Sequence, residues 1–331
     1  MSLVKNMQDQ VSAQVGPKEM LLYVLRSRPL VLLVLIVILS ISMAMQTPNF
    51  LSSANLSAVL LNASQSGIMV VGMTILMVGG VFDLSIGSTL ALCGVVTGYL
   101  IAKQSVPPTV AIIIGLLVGL AAGFINGWIV TRQKINALIT TLATMSVYRG
   151  ITQLISGTGV SPIDKTFAKV GQTMFLGFQT PFWFMIIIVI VFSFAVSKTR
   201  FFRQFYYVGG NERAAKLSGI RSENVMLIGF MIMGVLAAMS GILGAARLNS
   251  AVVSAGIGVE LQIITAAVLG GANLKGGEGT VLGAFLGVLF IALIQNAMII
   301  LKLNVFWQNI VIGIVLLLAV SLDRWKQKTR A

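Results

Sequence analysis

The sequence predicts an all-α polytopic membrane protein with about ten transmembrane helices. Of its 331 residues, 57% are hydrophobic and only 10% are charged. The apolar residues come in runs of roughly 17–25, which is the length that crosses a bilayer as a helix. Short polar breaks separate the runs, and most of the 23 lysines and arginines lie in or beside those breaks. These observations exclude a soluble globular domain.

The apolar runs, marked from the N-terminus, give the predicted spans. They cover residues 29–46, 56–78, 84–102, 109–130, 136–155, 181–197, 225–247, 260–272, 280–300 and 303–322. The first run follows a segment that contains Asp9 and Glu19, and no small-residue cleavage site follows it. We therefore expect a retained first span and no cleaved signal peptide.

The basic residues predict the orientation of the spans. Lysine and arginine collect on the cytoplasmic side of membrane proteins, and here they concentrate in alternate connections. Both termini are then cytoplasmic, which requires an even number of spans. The chain divides into a cytoplasmic N-terminal segment at 1–28, a single transmembrane domain at 29–323 and a basic cytoplasmic tail at 324–331. We interpret the formal charge of +14 as a topology signal and expect no nucleic-acid partner.

The titratable residues give little support to an enzyme. The chain has no histidine and one cysteine, Cys93, so an internal disulfide is excluded and nitrogen–sulfur metal sites have almost no ligands. None of the nine acidic residues pairs with another at helical spacing within a span. Asp83 and Glu260 fall at predicted span ends, which also disfavours an ion-coupled carrier. We expect no catalytic residue, no metal and no cofactor in this chain.

Two glycine-rich turns resemble each other. The first reads "GGVFDLSIGS" from Gly79 and the second reads "GGANLKGGEG" from Gly270. With one extra residue in the first copy, Asp83 aligns with Asn273, and repeat and coincidence both remain open. We expect Asp83 to cap the following helix in preference to binding substrate. The predicted turn or gate residues are Gly79, Gly80, Asp83, Ser85, Gly87, Gly270, Gly271, Asn273, Gly276 and Gly277.

Two connections are long enough to carry structure of their own. The predicted cytoplasmic loop at 198–224 has Asn211 as a plausible N-cap, and its short helix would end at Leu217 before Gly219. Such a helix suits docking to a partner, although a plain connector fits as well. The loop at 156–180, on the opposite side, could carry a short surface helix.

Amide side chains stand on several predicted spans. In an apolar helix they either join neighbouring helices by hydrogen bonds or line a path for a neutral, hydroxylated solute. Joining helices is the commoner role for any one amide, but as a set they suit a path without fixed charge. The candidate path residues are Asn62, Gln65, Asn126, Gln153 and Asn296.

Four segments together resemble the permease subunits of ribose-type ATP-binding cassette importers. They occur in that family's order and span most of the chain. The segments are "GMTILMVGGVFDLSIGS" (72–88), "GFINGWIVTRQKINALITTLATMSVYRG" (123–150), "YYVGGNERAAKLSGI" (206–220) and "GVELQIITAAVLGGANLKGGEGTVLG" (258–283).

The resemblance implies a permease bundle of the type II importer kind in the bacterial inner membrane. It implies a homodimer or two related permeases, two ATPase domains that hold ATP and Mg on the cytoplasmic side, and a periplasmic sugar-binding protein. Transport of a pentose or hexose would proceed by alternating access. The loop at 198–224 would be the coupling segment, with contacts from Gly209, Gly210, Asn211, Glu212, Ala215 and Gly219. The chain itself has no phosphate-binding G-x-x-x-x-G-K-[ST] loop.

The sequence leaves the substrate open. The extra residue in the first turn, Val81 or Phe82, departs from the family pattern and has no explanation from the sequence. A related importer for nucleosides or branched-chain amino acids is the nearest alternative. A membrane scaffold or receptor that binds a periplasmic protein without transport is the alternative from another class.

Overall fold

A computed structural model describes residues 27–304 and 306–328, with only the backbone described at 309, 319–320 and 322–328. The chain is helical along most of this length. The helices are α1 Arg28–Gln46, α2 Ser53–Val78, α3 Ile86–Gln104, α4 Pro108–Arg132, α5 Ala137–Ser156, α6 Lys165–Gln172, α7 Thr180–Lys198, α8 Arg200–Gly210, α9 Glu212–Leu217, α10 Ser222–Leu248, α11 Val259–Leu269, α12 Val281–Ile300 and α13 Phe306–Lys328.

Short strands join the loops on one side of the bundle. They are β1 Gly159–Val160, β2 Met174–Phe175, β3 Phe178–Gln179 and β4 Ala251–Val252. β1 pairs antiparallel with β4, and β2 pairs antiparallel with β3. The predicted surface helix in the loop at 156–180 is α6.

The helical membrane fold is confirmed, but the count of ten spans is not. Within the described residues, seven helices are long and apolar enough to cross a membrane: α1, α2, α3, α4, α7, α10 and α12. The predicted span at 260–272 is the 11-residue helix α11, which is about 16 Å long. That length covers roughly half of a hydrocarbon core. The predicted segments 1–28 and 324–331 lie almost wholly outside the residues whose side chains are described.

Helix α10 lies at the centre of the bundle and packs against α2, α3 and α4. Its contact with α4 runs through small residues. A Cβ atom on Gly123 would overlap the carbonyl oxygen of Phe230, and one on Gly119 would overlap Gly234 and Ala238. The glycine stripe of α4 therefore serves close helix packing.

Residue contacts along α10 define two ends of the bundle. Arg132, at the end of α4, pairs with Glu223 in the first turn of α10 at 2.5 Å. At the same level, Gly79 lies against Met226. We call this the lower end of the bundle. The end where α10 finishes at Leu248 is the upper end.

The chain turns back into the bundle after α10. Residues 249–258, which we call the re-entrant segment, begin at the upper end, where β4 pairs with β1. At Gly256 the backbone presses against the backbone of Gly87, near the start of α3. Leu90, one turn further along α3, touches Gly241 of α10. The rise of the two helices places Gly256 about 15 Å below the upper end. The re-entrant segment and α11 thus each cross about half of the bundle.

Candidate functional site

The lower end of α2 closes with a Schellman motif. Gly80 adopts φ +88°, a conformation that favours glycine. Its N–H donates to the carbonyl of Met77 at 2.9 Å, and the N–H of Val81 donates to that of Leu76 at 3.1 Å. These two bonds satisfy carbonyls that the helix end would otherwise leave unpaired.

Helix α11 ends in the same way. Gly271, the counterpart of Gly80, has φ +102°. Its N–H donates to Val268 at 3.0 Å, and the N–H of Ala272 donates to Ala267 at 2.9 Å. The two glycine pairs therefore make identical hydrogen-bond patterns at the ends of two helices in the two halves of the chain.

A second turn follows each cap and extends the match. Oδ1 of Asp83 accepts the N–H of Ser85 at 2.8 Å. Oδ1 of Asn273 accepts the N–H of Lys275 at 2.9 Å. The extra residue of the first copy lies between the cap and this turn, where it changes neither. Shared turn geometry at matching places favours an internal repeat over coincidence.

Asp83 is buried and belongs to a polar cluster that joins three helices. Its Oδ1 accepts the hydroxyl of Ser85 at 2.6 Å, and its Oδ2 accepts Nδ2 of Asn126 at 3.2 Å. The amide of Asn126 also donates to Ser85 Oγ at 2.8 Å and accepts the hydroxyl of Tyr148 at 3.3 Å. The N-cap of α3 is Ser85, without a side-chain cap bond, so Asp83 closes the turn that leads into the helix instead of capping the helix itself, and the carboxylate has several donors around it.

Three stretches of main chain meet beside these turns: the end of α2, the last turn of α8 and the loop after α11. The N–H of Gly277 donates to the carbonyl of Val78 at 2.8 Å. A Cβ atom on Gly209, in the last turn of α8, would overlap that carbonyl and lie 2.8 Å from the nitrogen of Gly277. Only glycine permits such an approach of α8 to both turns. We call the contact of Gly209, Val78 and Gly277 the glycine junction.

Helix α9 follows α8 directly and has the caps that its sequence predicts. Oδ1 of Asn211 accepts the N–H of Ala214 at 3.0 Å, so Asn211 is the N-cap. The helix ends at Leu217, and Gly219 takes φ +82° two residues later. Ala215 is buried. The prediction of α9 and its caps is confirmed, whereas α8, in the same predicted loop, was not predicted.

The opposite face of α9 is open. Leu217 is 91% exposed, and Tyr207 on the neighbouring α8 is 57% exposed. Glu212 pairs with Lys216 one turn away at 2.8 Å. The hydrogen bond and the charge of Glu212 raise the pKa of Lys216. A cleft of about 540 Å³ runs between α8 and α9, so this end of the bundle presents a shaped surface with apolar and charged groups.

The candidate path residues have separate partners. Asn62 accepts Nη2 of Arg247 at 3.3 Å, and Gln65 donates to the carbonyl of Ser240 at 3.4 Å. Asn296 exchanges hydrogen bonds with Asn55 at 3.0 and 2.9 Å, Asn126 bonds to Asp83 and Ser85, and Gln153 is exposed. The structure does not gather the five into one cluster.

A cavity of about 290 Å³ adjoins the re-entrant segment. Gln65 contributes to its lining, together with the small residues Gly94, Gly241 and Gly244, and Ser254 of the re-entrant segment. A small uncharged solute could be held here by amide, hydroxyl and main-chain groups.

Arg149 is the site residue that sequence reasoning did not select. It stands on α5, and its Nη1 donates to the carbonyls of Val253 and Ala255, the latter at 2.9 Å. The sequence signal is a cation within an otherwise apolar helical segment. Its partners are main-chain groups far along the chain, so no side-chain pattern pointed to them.

Comparison with known proteins identifies the family of this chain. The family described as "Branched-chain amino acid transport system / permease component" matches residues 55–320. The L-arabinose transport system permease protein AraH of Escherichia coli (strain K12) is 38% identical, over 90% of this chain and 91% of that protein. The ribose import permease protein RbsC of Bacillus subtilis (strain 168) is 38% identical, over 89% of this chain and 91% of that protein.

A third relative is more distant. The autoinducer 2 import system permease protein LsrC of Photorhabdus luminescens is 35% identical over 77% of both chains. No solved structure matches the chain. The family match covers most of the sequence and agrees with the helical bundle and its repeated glycine turns. The chain therefore belongs to the family of ATP-binding cassette import permeases described as branched-chain amino acid transport system permease components.

Proposed function

We propose that this chain is the permease subunit of a monosaccharide importer driven by ATP hydrolysis on a partner protein. The glycine junction is the observation that carries the proposal. It connects the open helix α9, through α8, to the ends of two helices that line the middle of the bundle. A partner that moves α9 would therefore move both turns together.

The mechanism is alternating access coupled through α8. The ATPase binds the open face of α9, with Gly210, Asn211, Glu212, Ala215 and Gly219 setting the shape of this loop. ATP binding displaces α8, and the glycine junction passes the displacement to α2 and α11. Because the contact is between main chains, it cannot be absorbed by rotation of a side chain. The two turns then open the path to one side at a time.

A second permease covers the re-entrant segment. Ile257 is 70% exposed on this segment, and Gly258 beside it is exposed as well. Irregular backbone does not face lipid at membrane depth, because lipid offers no hydrogen bonds. The face that holds Ile257, Gly258 and Leu261 therefore meets a second copy, or a related permease, around a central path.

The lower end faces the cytoplasm. It holds Arg132 and Glu223 and the basic loop with Lys198, Arg200 and Arg203, in agreement with the bias of lysine and arginine. Both termini are then cytoplasmic and the protein crosses the inner membrane several times as one domain. A periplasmic binding protein would deliver the solute to the upper end.

The transported solute is a pentose or hexose. Relatives that match about nine-tenths of the chain are named for arabinose and ribose transport. A path with amide and hydroxyl groups suits a neutral, hydroxylated solute. The name of the family model keeps branched-chain amino acids as a second candidate. The permease itself is not catalytic: ATP and Mg lie on the partner.

Uptake by the assembled importer tests the proposal. Cells that express the permease with its ATPase and binding protein should take up labelled pentose or hexose, and excess unlabelled sugar should abolish that uptake. Competition by leucine and not by sugars would favour the amino-acid alternative. Failure of the solubilised permease to bind the ATPase under every nucleotide condition would contradict the importer and leave a scaffold or receptor.

A matched substitution tests the coupling loop. Glu212→Lys reverses a charge on the open face of α9, so it should impair ATPase binding or uptake while the protein still inserts normally. Lys103→Glu changes a charge at the upper end and should leave ATPase binding unchanged. Normal uptake by Glu212→Lys would contradict the assignment of α9.

A further inference from the structure

The re-entrant segment carries main-chain groups at a depth where water and lipid do not satisfy them. Between the β4 pair and α11 it has no helix or strand. The carbonyls of Val252, Ser254 and Gly256 accept local turn bonds from Ala255, Ile257 and Val259, whereas those of Val253 and Ala255 take donors from elsewhere in the protein. The donors determine where the segment lies, and it forms one wall of the 290 Å³ cavity through Ser254, Ala255 and Gly256.

Arg149 supplies donors from behind this wall. It lies about 18 Å along α5 from Ala137, well inside the bundle. Its guanidinium donates to the carbonyls of Val253 and Ala255. A cation at this depth is costly unless it is paired or bonded to carbonyls. Glu260, in the first turn of α11, supplies a negative charge that acts on the guanidinium.

The other contacts of the segment are made by main chain. Ala251 and Val252 pair with β1 at the upper end, and Gly256 packs on Gly87 at the inner limit. Between these two points the segment is held by Arg149 and by a long bond from the N–H of Val253 to the carbonyl of Thr158 at 3.4 Å. Side-chain rotation can release the contact of Arg149, whereas the main-chain contacts on either side can part only if α3 or β1 moves.

We infer that Arg149 is a positioning residue that fixes the re-entrant segment as the wall of the solute path. The role of the wall in transport rests on the proposed function, but the holding contact does not. While Arg149 bonds both carbonyls, the side chain of Val253 stays buried and the cavity keeps its shape. When the bonds break, the long Val253–Thr158 bond and the turn bond from Ala255 to Val252 are left to restrain residues 253–255, and Val253 becomes more accessible.

Thiol labelling measures this directly. The natural cysteine, Cys93, is fully buried, so a cysteine introduced elsewhere can be labelled selectively. Val253→Cys keeps the carbonyl that Arg149 binds and places a thiol at a position that is only 6% exposed. Its reaction with a membrane-impermeant maleimide is followed in intact cells and in inverted vesicles. Val252→Cys, at a position 40% exposed, reports the freely accessible rate.

Three variants separate the explanations. Arg149→Gln removes the charge and the fork of donors, and should raise the labelling rate of Val253→Cys about tenfold. Arg149→Lys keeps the charge on a less ordered side chain and should give an intermediate rate. Arg247→Gln removes another half-buried arginine, whose guanidinium bonds Asn62, and should leave the rate unchanged.

The outcomes decide the inference without reference to transport. Equal labelling rates in Arg149→Gln and the parent would overturn it, even if uptake were lost. If Arg149→Gln does not accumulate in the membrane, Arg149→Lys carries the comparison, and a parental rate in that variant would overturn it as well. A faster rate together with absent sugar uptake in the parent would support the inference and contradict the proposed function instead.

Discussion

Asn126 Nδ2 donates a hydrogen bond to Oδ2 of Asp83 inside the bundle, at 3.2 Å. The contact joins the chain just before α3 to the last third of α4. Asp83 is 2% exposed and Asn126 is 1% exposed, so neither group can exchange this bond for one with water. Burial of both partners makes the cluster sensitive to loss of either one.

Replacement of Asp83 should therefore depend on whether an acceptor remains. Asp83→Ala leaves donors of Ser85 and Asn126 unpaired, and we expect it to lower stability by about 1–3 kcal/mol. Asp83→Asn keeps an amide oxygen for the N–H of Ser85. Asn273 already makes the same turn with an amide oxygen at 2.9 Å. Thermal unfolding of the solubilised protein, followed by size-exclusion, should rank the parent first, Asp83→Asn second and Asp83→Ala last. Equal melting of Asp83→Ala and the parent would refute this.

The glycine junction predicts different effects for two adjacent substitutions. A Cβ on Gly209 overlaps the carbonyl of Val78, whereas a Cβ on Gly210 meets nothing within 4 Å. We expect Gly209→Ala to abolish sugar uptake while α9 still binds the ATPase. Gly210→Ala, one residue away, avoids this overlap and should lose much less uptake than Gly209→Ala. Uptake and ATPase co-purification are measured on the same membranes, and full uptake by Gly209→Ala would argue against the junction.

The pair of Asn55 and Asn296 distinguishes helix packing from solute contact. Each amide donates to the other, at 3.0 and 2.9 Å. Asn55→Leu leaves the amide of Asn296 without its partner, and Asn296→Leu leaves Asn55 with only its bond to the carbonyl of Phe50 at 2.7 Å, whereas the double substitution removes both amides. We expect the two single variants to lose more stability together than the double variant does, with a coupling of about 0.6 kcal/mol.

Uptake by the same variants completes that test. If Asn296 only joins helices, the double variant should regain much of the uptake that the single variants lose. Should uptake stay absent in a double variant that is stable, Asn296 would be a lining residue of the path. Additive stability losses would show that the two amides do not interact.

Helix α6 should respond to acid at its N-cap. Oδ1 of Asp164 accepts the N–H of Phe167 at 2.9 Å and that of Thr166 at 2.6 Å. These bonds, the one from Phe167 first, lower the pKa of Asp164 below its ordinary value of 3.8. The carboxylate thus stabilises the helix fully above that value, and the stabilisation is lost as the pH falls through the lowered pKa.

Hydrogen exchange checks this prediction. Protection factors of the amides at 166–169, corrected for intrinsic exchange, should hold from pH 7 to about 4.5 and decline below the ordinary pKa. Asp164→Asn should remove the pH dependence, because its amide does not titrate in this range. A decline centred near pH 6 would point to another group.

Local signals in the sequence were enough for the short helices. The caps of α9 depend on Asn211 and Gly219, which lie within a few residues of the helix they bound, and both positions agree with the structure. The bounds of α2 and α10 lie within three residues of the predicted spans 56–78 and 225–247. Each of these features depends on neighbours along the chain, so pattern alone suffices.

Depth within the bundle could not be predicted in this way. The run at 260–272 is as apolar as a span, and nothing in its composition indicates that α11 begins halfway through the bundle. Its starting point depends on the contact of Gly256 with Gly87, which are far apart in sequence. The same holds for Arg149, whose partners are main-chain carbonyls with no residue-type signature. The periodicity of apolar residues carries no information about tertiary contacts of this kind.

The glycine junction also separates two properties of an importer: which ATPase it binds, and the movement that the ATPase drives. In the proposed mechanism, the choice of ATPase depends on exposed side chains of α9, such as Leu217 and Glu212, which can be replaced one at a time. The coupled movement depends on main-chain atoms of Gly209, Val78 and Gly277, which substitutions on α9 leave in place. Successive substitutions on α9 can thus change which ATPase binds while the coupled movement stays the same. Transplanting α9 between relatives should change the ATPase partner without altering the glycine junction.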